Sequence, residues 1–477
     1  LIEEGPYLVG QFDNDEFTAQ ARMYRDGGYV LTENQTASIV QGRTLGGSTT
    51  VNWQTSLYPP EYVTGEWRDR FGLEGYALGE EMGSYVDEVH ERLGVAEVPD
   101  RLINENNQVL MRGGKKLGLN PEVLKNNNAG RCVGLGRCGL GCPISAKQTT
   151  YMTWLPDAQN AGATIVTNMR AEEISDDGAI KRVTARFAAD AYAQHPADII
   201  EKMEIDAPVV IVSAGALEGP ALLQRSGIGN DWVGRNLKLH PTSTIFAKFD
   251  SDVDMWNGPP QSAVIKAGHN QDNTGYGFWL EVAPFRPTLT ASLMPFYGAQ
   301  QFEQLRDYRR LSAGIVLVRD GADGETQNSV RWSWGKRKVE FEFTPTDGRN
   351  MLRGLKMLAE VQAAAGAREL IFPFGDMDGP VKVNPQTNFD WVLKKDFSPG
   401  RIGVGSAHPH GSIQAAADAS RGAIDPNFEV YGHRNIFVMD ASWSPTGLSV
   451  NPQITTMSSA LRASRRLASQ KKERVPG

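Results

Sequence analysis

The sequence predicts an α/β domain that is interrupted by a second domain built on an antiparallel sheet. Apolar runs at 163–169 (ATIVTNM), 207–215 (APVVIVSAG) and 434–442 (RNIFVMDAS) are each followed by a turn or by helical spacing, as a doubly wound α/β domain requires. Between about 240 and 345, strand-like runs alternate with Gly, Asp and Asn turns, which is typical of an antiparallel sheet. The α/β domain is therefore predicted to be discontinuous.

The composition excludes several classes of protein. A chain of 477 residues with 40% hydrophobic content is long enough for two or more domains. The formal charge of −7 disfavours nucleic acid as a partner, because phosphate binding needs clustered positive charge. No run of 18 apolar residues occurs, so we expect no transmembrane segment in this chain. The chain opens on LIEEGP, which resembles the end of a strand, so an export signal before it stays open.

Near the N-terminus, Glu3 closes a short apolar stretch, and a Gly46-Gly47-Ser48 turn follows later. An acidic residue at the end of a strand is what a Rossmann-type fold uses to hold an adenosine ribose. A Gly-Gly turn lets a backbone approach a bulky ligand closely, because no Cβ obstructs it. Taken alone, each feature is more typical of a solvent-facing loop.

Two later segments combine small residues with groups capable of acid/base chemistry. In VVIVSAGALEGPALLQRSGIGN a buried strand runs into small residues and then a helical pattern, which permits close packing against a ligand or a neighbouring strand. The C-terminal part carries SAHPHGS, with His408 and His410, and later Asn451-Pro452 at the start of a predicted helix. A His and an Asn from distant positions form a plausible catalytic pair, and spacing alone does not choose between the two histidines.

All three cysteines lie in GRCVGLGRCGLGCPISAKQ (130–148), as Cys132, Cys138 and Cys142. The same stretch contains a formal G-x-G-x-x-G, but no strand pattern precedes it and CPIS is a poor start for a helix. We therefore reject it as a dinucleotide-binding loop. Such clustering favours a metal or iron–sulfur site. A structural loop, with a Cys138–Cys142 bridge or with free thiols, stays open.

Together, GRTLGGSTTVN, VIVSAGALEGPALLQRSGIG and VMDASWSP…NPQITT occur in one order and at matching separations. In this the chain resembles the glucose–methanol–choline (GMC) family of FAD-dependent oxidoreductases. The resemblance implies a Rossmann-like FAD-binding domain over 1–57, 145–239 and 397–477. It also implies a cap and cysteine-bearing insert over 58–144 and a substrate-binding domain over 240–396.

The resemblance also implies roles for individual residues. Glu3 would bind the adenosine ribose, and the main chain of Ala171 would meet adenine. Gly46, Gly47, Ser48 and Asn52 would line the pyrophosphate and the flavin. Asp440 and Ala441 would reach the ribityl-phosphate part, and Pro452 and Gln453 the pyrimidine end of the flavin. The active-site His of the family precedes a Gly by three, which selects His408, and Asn451 takes the paired position.

One departure from the family pattern concerns the N-terminus. Family members begin with a strand, a G-x-G-x-x-G turn and a helix that binds the pyrophosphate. This unit should precede LIEEGP, and the printed sequence does not contain it. We expect that a preceding segment, an unbuilt piece or another chain supplies it.

The cysteine insert resembles that of the flavin subunits of bacterial sugar dehydrogenases, where three cysteines hold a [3Fe-4S] cluster. Its neighbourhood also resembles long-chain alcohol oxidases. With a cluster, electrons would leave for a cytochrome or a small accessory subunit, and a periplasmic or membrane-associated setting would be favoured.

The expected function is FAD-dependent oxidation of an alcohol or sugar hydroxyl, with hydride transfer to flavin N5 and electrons passed through the cluster to an external acceptor. An oxidase that uses O2 without a cluster is the main alternative. A lyase on the same fold and a non-catalytic electron-transfer or scaffold subunit stay open. A serine hydrolase and a zincin are disfavoured, because neither G-x-S-x-G nor H-E-x-x-H occurs.

Overall fold

The structure is a computed structural model that describes residues 1–188, 201–324, 326–470 and 474. The predicted FAD-binding domain includes 189–200 and the last residues of the chain, which lie outside the described residues. Short 3₁₀ helices include Cys138–Leu140 and Ala441–Trp443. The α-helices of the described part are α1 (Glu16–Met23), α2 (Ser48–Val51), α3 (Glu61–Phe71), α4 (Glu81–Leu93), α5 (Glu105–Lys116), α6 (Trp154–Asn160), α7 (Gly215–Arg225), α8 (Pro287–Leu293), α9 (Gly298–Arg306), α10 (Pro345–Ala364) and α11 (Gln453–Ser469).

The strands form one large mixed sheet and several small ones. The large sheet has the order β1-β2-β18-β10-β13-β12, with β16 also on β10 and β17 on β16. All of its pairs are antiparallel except β2 with β18. The strands of the described residues are β1 (Val30–Leu31), β2 (Ser38–Ile39), β3 (Val95–Glu97), β4 (Glu122–Val123), β5 (Lys125–Asn127), β6 (Met169–Ser175), β7 (Lys181–Phe187), β8 (Lys202–Ala207), β9 (Val210–Val212), β10 (Thr242–Lys248), β11 (Ala263–Val264), β12 (Phe278–Val282), β13 (Leu311–Val318), β14 (Ser329–Ser333), β15 (Lys336–Glu340), β16 (Glu369–Ile371), β17 (Val381–Lys382), β18 (Gly405–Ser406) and β19 (Ile436–Val438).

The side of the large sheet formed by β12 and β13 is buried on both faces. Every residue of these two strands is buried, which fits the mainly apolar sequence of β13 and, apart from Glu281, of β12. The helix α10 packs against these strands, and Gly354 on α10 allows close approach because a Cβ there would lie 2.3 Å from Val316. The 20-residue helix α10 therefore covers this side of the sheet.

The parallel part of the fold lies around β9 and β19. These strands pair in parallel, with Ile436 opposite Val210, and β9 leads directly into α7. In the predicted strand at 163–169, Val166 forms an isolated parallel bridge with Ile2, and only the last residue, Met169, belongs to a strand, β6. A strand–turn–helix unit beside an antiparallel domain confirms the predicted fold class.

The runs that form β14 and β15 were expected within the antiparallel region, and they form a separate two-stranded hairpin. The strand β5 ends at Asn127, Gly134 and Gly136 lie in an irregular loop, and the 3₁₀ turn Cys138–Leu140 follows. The glycines thus do not join a strand directly to an α-helix, which supports rejecting this loop as a dinucleotide site. Within the described residues, no helix combines the length and apolar character needed to cross a membrane.

Candidate active site

The Gly46-Gly47-Ser48 segment forms a tight turn that leads into α2. Gly46 and Gly47 have φ values of 89° and 55°, in the left-handed region that favours glycine. A Cβ on Gly46 would lie 2.6 Å from Thr50 Oγ1, whereas a Cβ on Gly47 would meet nothing within 4 Å. The outer side of the turn is therefore open to close approach by a ligand.

The flavin-binding residues expected from opposite ends of the chain meet at the start of α11. The Asn52 side-chain amide donates a hydrogen bond to Gln453 Oε1 across 401 residues of sequence. The Nε2 atom of Gln453 is buried without a partner among the described residues, and Pro452 gives α11 no side-chain cap. An unpaired buried donor is costly, and an uncapped helix N-terminus attracts acceptor groups. Both features fit the polar end of a flavin ring.

Asp440 stands at the end of β19 and binds the start of α7. Its Oδ2 accepts a hydrogen bond from the Gly215 backbone N–H at 2.7 Å, and its Oδ1 accepts one from the Ser442 N–H at 2.8 Å. Burial raises the pKa of this carboxyl. The carboxylate thus aligns the two parallel strands and the N-terminus of α7, with Ala441 directly beyond it.

Glu3 and Ala171 lie close to one another on neighbouring segments. The Met169 N–H donates to the Glu3 carbonyl oxygen at 2.8 Å, two residues before Ala171. The Glu3 side chain accepts from the Gly5 N–H at 2.7 Å, and burial raises its pKa to about 7. Arg225 donates to the Ala171 carbonyl oxygen at 2.5 Å. The structure therefore brings together the two residues predicted at the adenosine end.

Three histidines cluster where β18 ends. His408 is partly exposed, and its Nδ1 lies 3.2 Å from Nδ1 of the buried His240. The Nδ1 of His410 donates to the His408 carbonyl oxygen at 2.6 Å, because a carbonyl can only accept. Burial and the neighbouring His410 lower the pKa of His408 to about 3. His408 is therefore a neutral imidazole at neutral pH.

Asn451 faces a carboxyl from strand β12. Its Nδ2 lies 3.4 Å from Glu281 Oε2, which also accepts a 2.6 Å hydrogen bond from Gln261. Glu281 is fully buried, and its Oε1 and the Asn451 Oδ1 lack partners among the described residues. Burial raises the pKa of Glu281 to about 7. Unpaired buried oxygens mark a place where a ligand or its hydroxyl group fits.

The end of β13 ties the histidine segment to the loop before Asn451. Arg319 donates to the Gly447 carbonyl oxygen at 2.8 Å, and the next residue, Asp320, accepts from the Leu239 and His240 N–H groups at 2.9 and 3.1 Å. No hydrogen bond joins His408 directly to Asn451 in the described part of the chain. Their joint action on one substrate oxygen stays a prediction.

Cys132, Cys138 and Cys142 line one cavity of about 20 Å³, which is about the space of a single water molecule. All three are free thiols, so the alternative Cys138–Cys142 bridge is not formed. Within the described residues, no group of three or more His, Cys, Asp or Glu side chains is placed to hold a metal ion. As arranged, the sulfurs do not fit a [3Fe-4S] cluster, and the cluster stays a prediction without support.

The cysteine segment nevertheless contacts the predicted flavin loop. Gln54 Nε2 donates to Cys138 Sγ at 2.9 Å. The buried Lys147 donates to the carbonyl oxygens of Thr50, Asn52 and Cys138 at 2.7, 2.9 and 2.7 Å. Burial lowers the pKa of this ammonium group to about 8. Lys147 therefore fastens the cysteine segment to α2.

Sequence reasoning missed Glu281, His240 and Lys147. For Glu281 a signal exists, because an acid in the apolar run FWLEV has no reason to sit in a fully buried strand. His240 and Lys147 carry no comparable signal, since their importance depends on neighbours that are distant in sequence.

Comparison with known proteins decides the family. The GMC oxidoreductase family models match residues 20–242 and 306–460. An uncharacterized GMC-type oxidoreductase of Mycobacterium tuberculosis is 31% identical over 97% of this chain, which covers 70% of that protein. The chain belongs to the GMC oxidoreductase family. This GMC oxidoreductase is accordingly an FAD-dependent enzyme that acts on CH–OH groups.

This GMC oxidoreductase is also similar to a curated alcohol oxidase in sequence and to a solved oxidase in fold. A long-chain-alcohol oxidase of Arabidopsis thaliana is 30% identical over 99% of the chain, which spans 64% of that protein's length. The crystal structure of pyridoxine 4-oxidase from Mesorbium loti superposes with a TM-score of 0.71 at 17% identity, over 98% of this chain and 94% of the other. The second likeness concerns the fold alone.

Proposed function

We propose that this GMC oxidoreductase oxidises the hydroxyl group of an alcohol or a sugar, with His408 as the general base. The observation that carries the proposal is the state of His408. Its ring is partly exposed, and its Nδ1 lies 3.2 Å from Nδ1 of His240, so Nε2 is the nitrogen left for a substrate. Burial lowers the pKa of the ring, which is therefore neutral. A neutral imidazole with an unused nitrogen at a partly exposed position can take the proton of a bound hydroxyl.

Asn451 would orient the substrate oxygen. When Glu281 is protonated, its O–H can donate to the Asn451 carbonyl oxygen, because the amide can turn over about its last bond. The amide N–H₂ then points away from Glu281 and can donate to the substrate oxygen as negative charge develops there. In its protonated form, the buried carboxyl of Glu281 thus sets the direction of the amide.

FAD would be held by Glu3 and Ala171 at the adenosine end, by Gly46, Gly47 and Ser48 at the pyrophosphate, by Asp440 and Ala441 at the ribityl part, and by Asn52, Pro452 and Gln453 at the flavin. The open turn and the unpaired Gln453 amide support this assignment. When bound, FAD supplies the acceptor of the hydride.

The test is anaerobic reduction of the FAD-loaded full-length protein, followed at the flavin absorbance with butanol, hexadecanol and glucose as probes. His408→Ala should slow reduction by about 10² or more. The exposed His269 serves as the matched control, and His269→Ala should reduce at the wild-type rate. A His408→Ala protein that is reduced as fast as wild type contradicts the proposal. A probe that is cleaved while the flavin stays oxidised indicates the lyase instead.

The identity of the final electron acceptor has two candidates. The similarity to long-chain-alcohol oxidases supports O2. Electron exit through the cysteine segment to a cytochrome or accessory subunit is the second candidate, and it rests on the cysteine spacing alone, because the three free thiols are not placed to hold a metal ion in the described part of the chain. Iron analysis together with hydrogen peroxide release decides between them. Peroxide at the rate of flavin reduction and no iron supports the oxidase, and stoichiometric iron with little peroxide supports the dehydrogenase.

A further inference from the structure

We propose that His240 is the positioning residue that selects the base-competent tautomer of His408. The inference rests on the proposed role of His408 and deepens it by naming the group that prepares the base. His240 lies just before the antiparallel strand β10, 168 positions from His408 in sequence.

The geometry allows one shared hydrogen between the two rings. The two Nδ1 atoms are 3.2 Å apart, with ring centroids at 5.3 Å. In one neutral arrangement His408 Nδ1–H donates to His240, which leaves His408 Nε2 bare and able to accept a proton. In the other, His240 donates, so His408 carries its hydrogen on Nε2 and cannot act as a base there. The ring that donates the shared hydrogen therefore decides whether His408 Nε2 can accept a proton from the substrate.

The surroundings of His240 keep its ring in place and uncharged. Asp320 accepts hydrogen bonds from the Leu239 and His240 N–H groups and so contacts the backbone, which is held at a positive φ of 50°. Around the ring, the charged or titratable neighbours are His408, His410 and Arg319, and together with burial they lower its pKa well below the usual value. A neutral ring can offer a bare Nδ1 as acceptor to His408.

His410 does not compete for this role. Its Nδ1 donates to the backbone carbonyl oxygen of His408, so this ring fixes the main chain of His408 and leaves the side-chain nitrogens alone. The proton of the substrate hydroxyl passes to His408 Nε2 and stays there, and no proton moves on to His240. The existing Nδ1–H···Nδ1 hydrogen bond then has a charged donor, which strengthens it.

The experiment uses the FAD-loaded full-length protein labelled with ¹⁵N-histidine. We expect the nitrogen shifts of His408, assigned by loss of its signals in His408→Gln, to show hydrogen on Nδ1 at pH 7. In parallel, His240→Asn and His240→Leu are compared in anaerobic flavin reduction by the fastest of the three alcohol and sugar probes. Asn can place a carbonyl oxygen where Nδ1 stood and tolerates positive φ, whereas Leu offers no acceptor.

We expect His240→Leu to slow reduction by about 10 to 10² with an unchanged substrate dissociation constant, and His240→Asn to recover to within about fivefold of wild type. His90→Gln, at a partly buried histidine of α4, is the control for a generic loss of imidazole. Hydrogen on Nε2 of the resting His408 overturns the inference even if His240→Leu fails to fold. If His408→Ala is reduced slowly but His240→Leu is reduced at the wild-type rate, this inference alone is overturned. If His408→Ala itself is reduced at the wild-type rate, the proposed function is overturned.

Discussion

Replacing Glu281 with Gln tests whether the buried carboxyl at Asn451 is held in its uncharged form. Its pKa rises from 4.5 to about 7 on burial, a difference of about 2.5 units, or about 3 kcal/mol. Because the pKa of Glu281 is higher in the folded state, the protonated carboxyl contributes about 3 kcal/mol to the free energy of unfolding. This contribution is fully present below pH 4.5 and is lost as the pH rises through 7. Gln keeps the shape and never ionises, so its advantage over wild type should grow to about 3 kcal/mol by about pH 8.

The assay is thermal unfolding followed by tryptophan fluorescence from about pH 4.5 to about pH 8. Unfolding entropy scales to about 1 kcal/mol/K for a chain of this length, so the Tm of Glu281→Gln should exceed that of wild type by about 3 °C at the alkaline end. Glu61→Gln, at an exposed position of α3, should show a constant difference across the range. A Tm difference for Glu281→Gln that does not change with pH, or one that is largest in acid, refutes the reasoning.

Three further predictions concern the cofactor turn, the buried lysine and the base. Gly47→Ala should weaken FAD binding about tenfold in a titration, because its Cβ would take up the open space through which a ligand approaches the turn. Gly79→Ala, also in open space but away from the turn, should leave the affinity unchanged. Lys147→Met should lower the free energy of unfolding by about 2 kcal/mol in urea titration, since three buried carbonyl oxygens lose their donor. Because the pKa of His408 is about 3, protonation of this base should not lower kcat/KM between about pH 8 and about pH 5. A fall in kcat/KM on the acid side near pH 6.5 that disappears in His408→Gln would contradict this.

The fold was predictable where the pattern of apolar residues is local. The strands β10, β12 and β13 and the helix α10 follow from runs and spacing in the sequence, because burial on both faces requires continuous apolar side chains. The run at 163–169 shares that composition, yet Val166 forms only an isolated bridge and Met169 alone lies in a strand. Strand formation depends on a partner, and a single segment does not reveal whether the partner is present.

The residues of the candidate site also differ in how far the sequence predicts them. The glycine turn at 46–48 and Asp440 could be predicted because each belongs to a short, recognisable segment. Glu281 and His240 are decided by contacts between segments that are far apart, such as the 170 residues between Glu281 and Asn451. The cysteine spacing was compatible with a cluster, but spacing does not fix the directions in which three side chains point, and here the sulfurs border a cavity of one water molecule.

The hydrogen bond between Asn52 and Gln453 closes a loop of 401 residues. Contacts of such long range form late in folding, because the entropy of closing the intervening chain must be met before they contribute. The flavin end of the site therefore forms only when α11 docks against the segment that contains Asn52. A cofactor that binds this folded arrangement and not the open chain draws the folding equilibrium toward closure. We therefore expect FAD to stabilise the docked arrangement of the whole chain in addition to its role in the reaction. The FAD-loaded protein should then resist proteolysis even at segments that the cofactor does not contact.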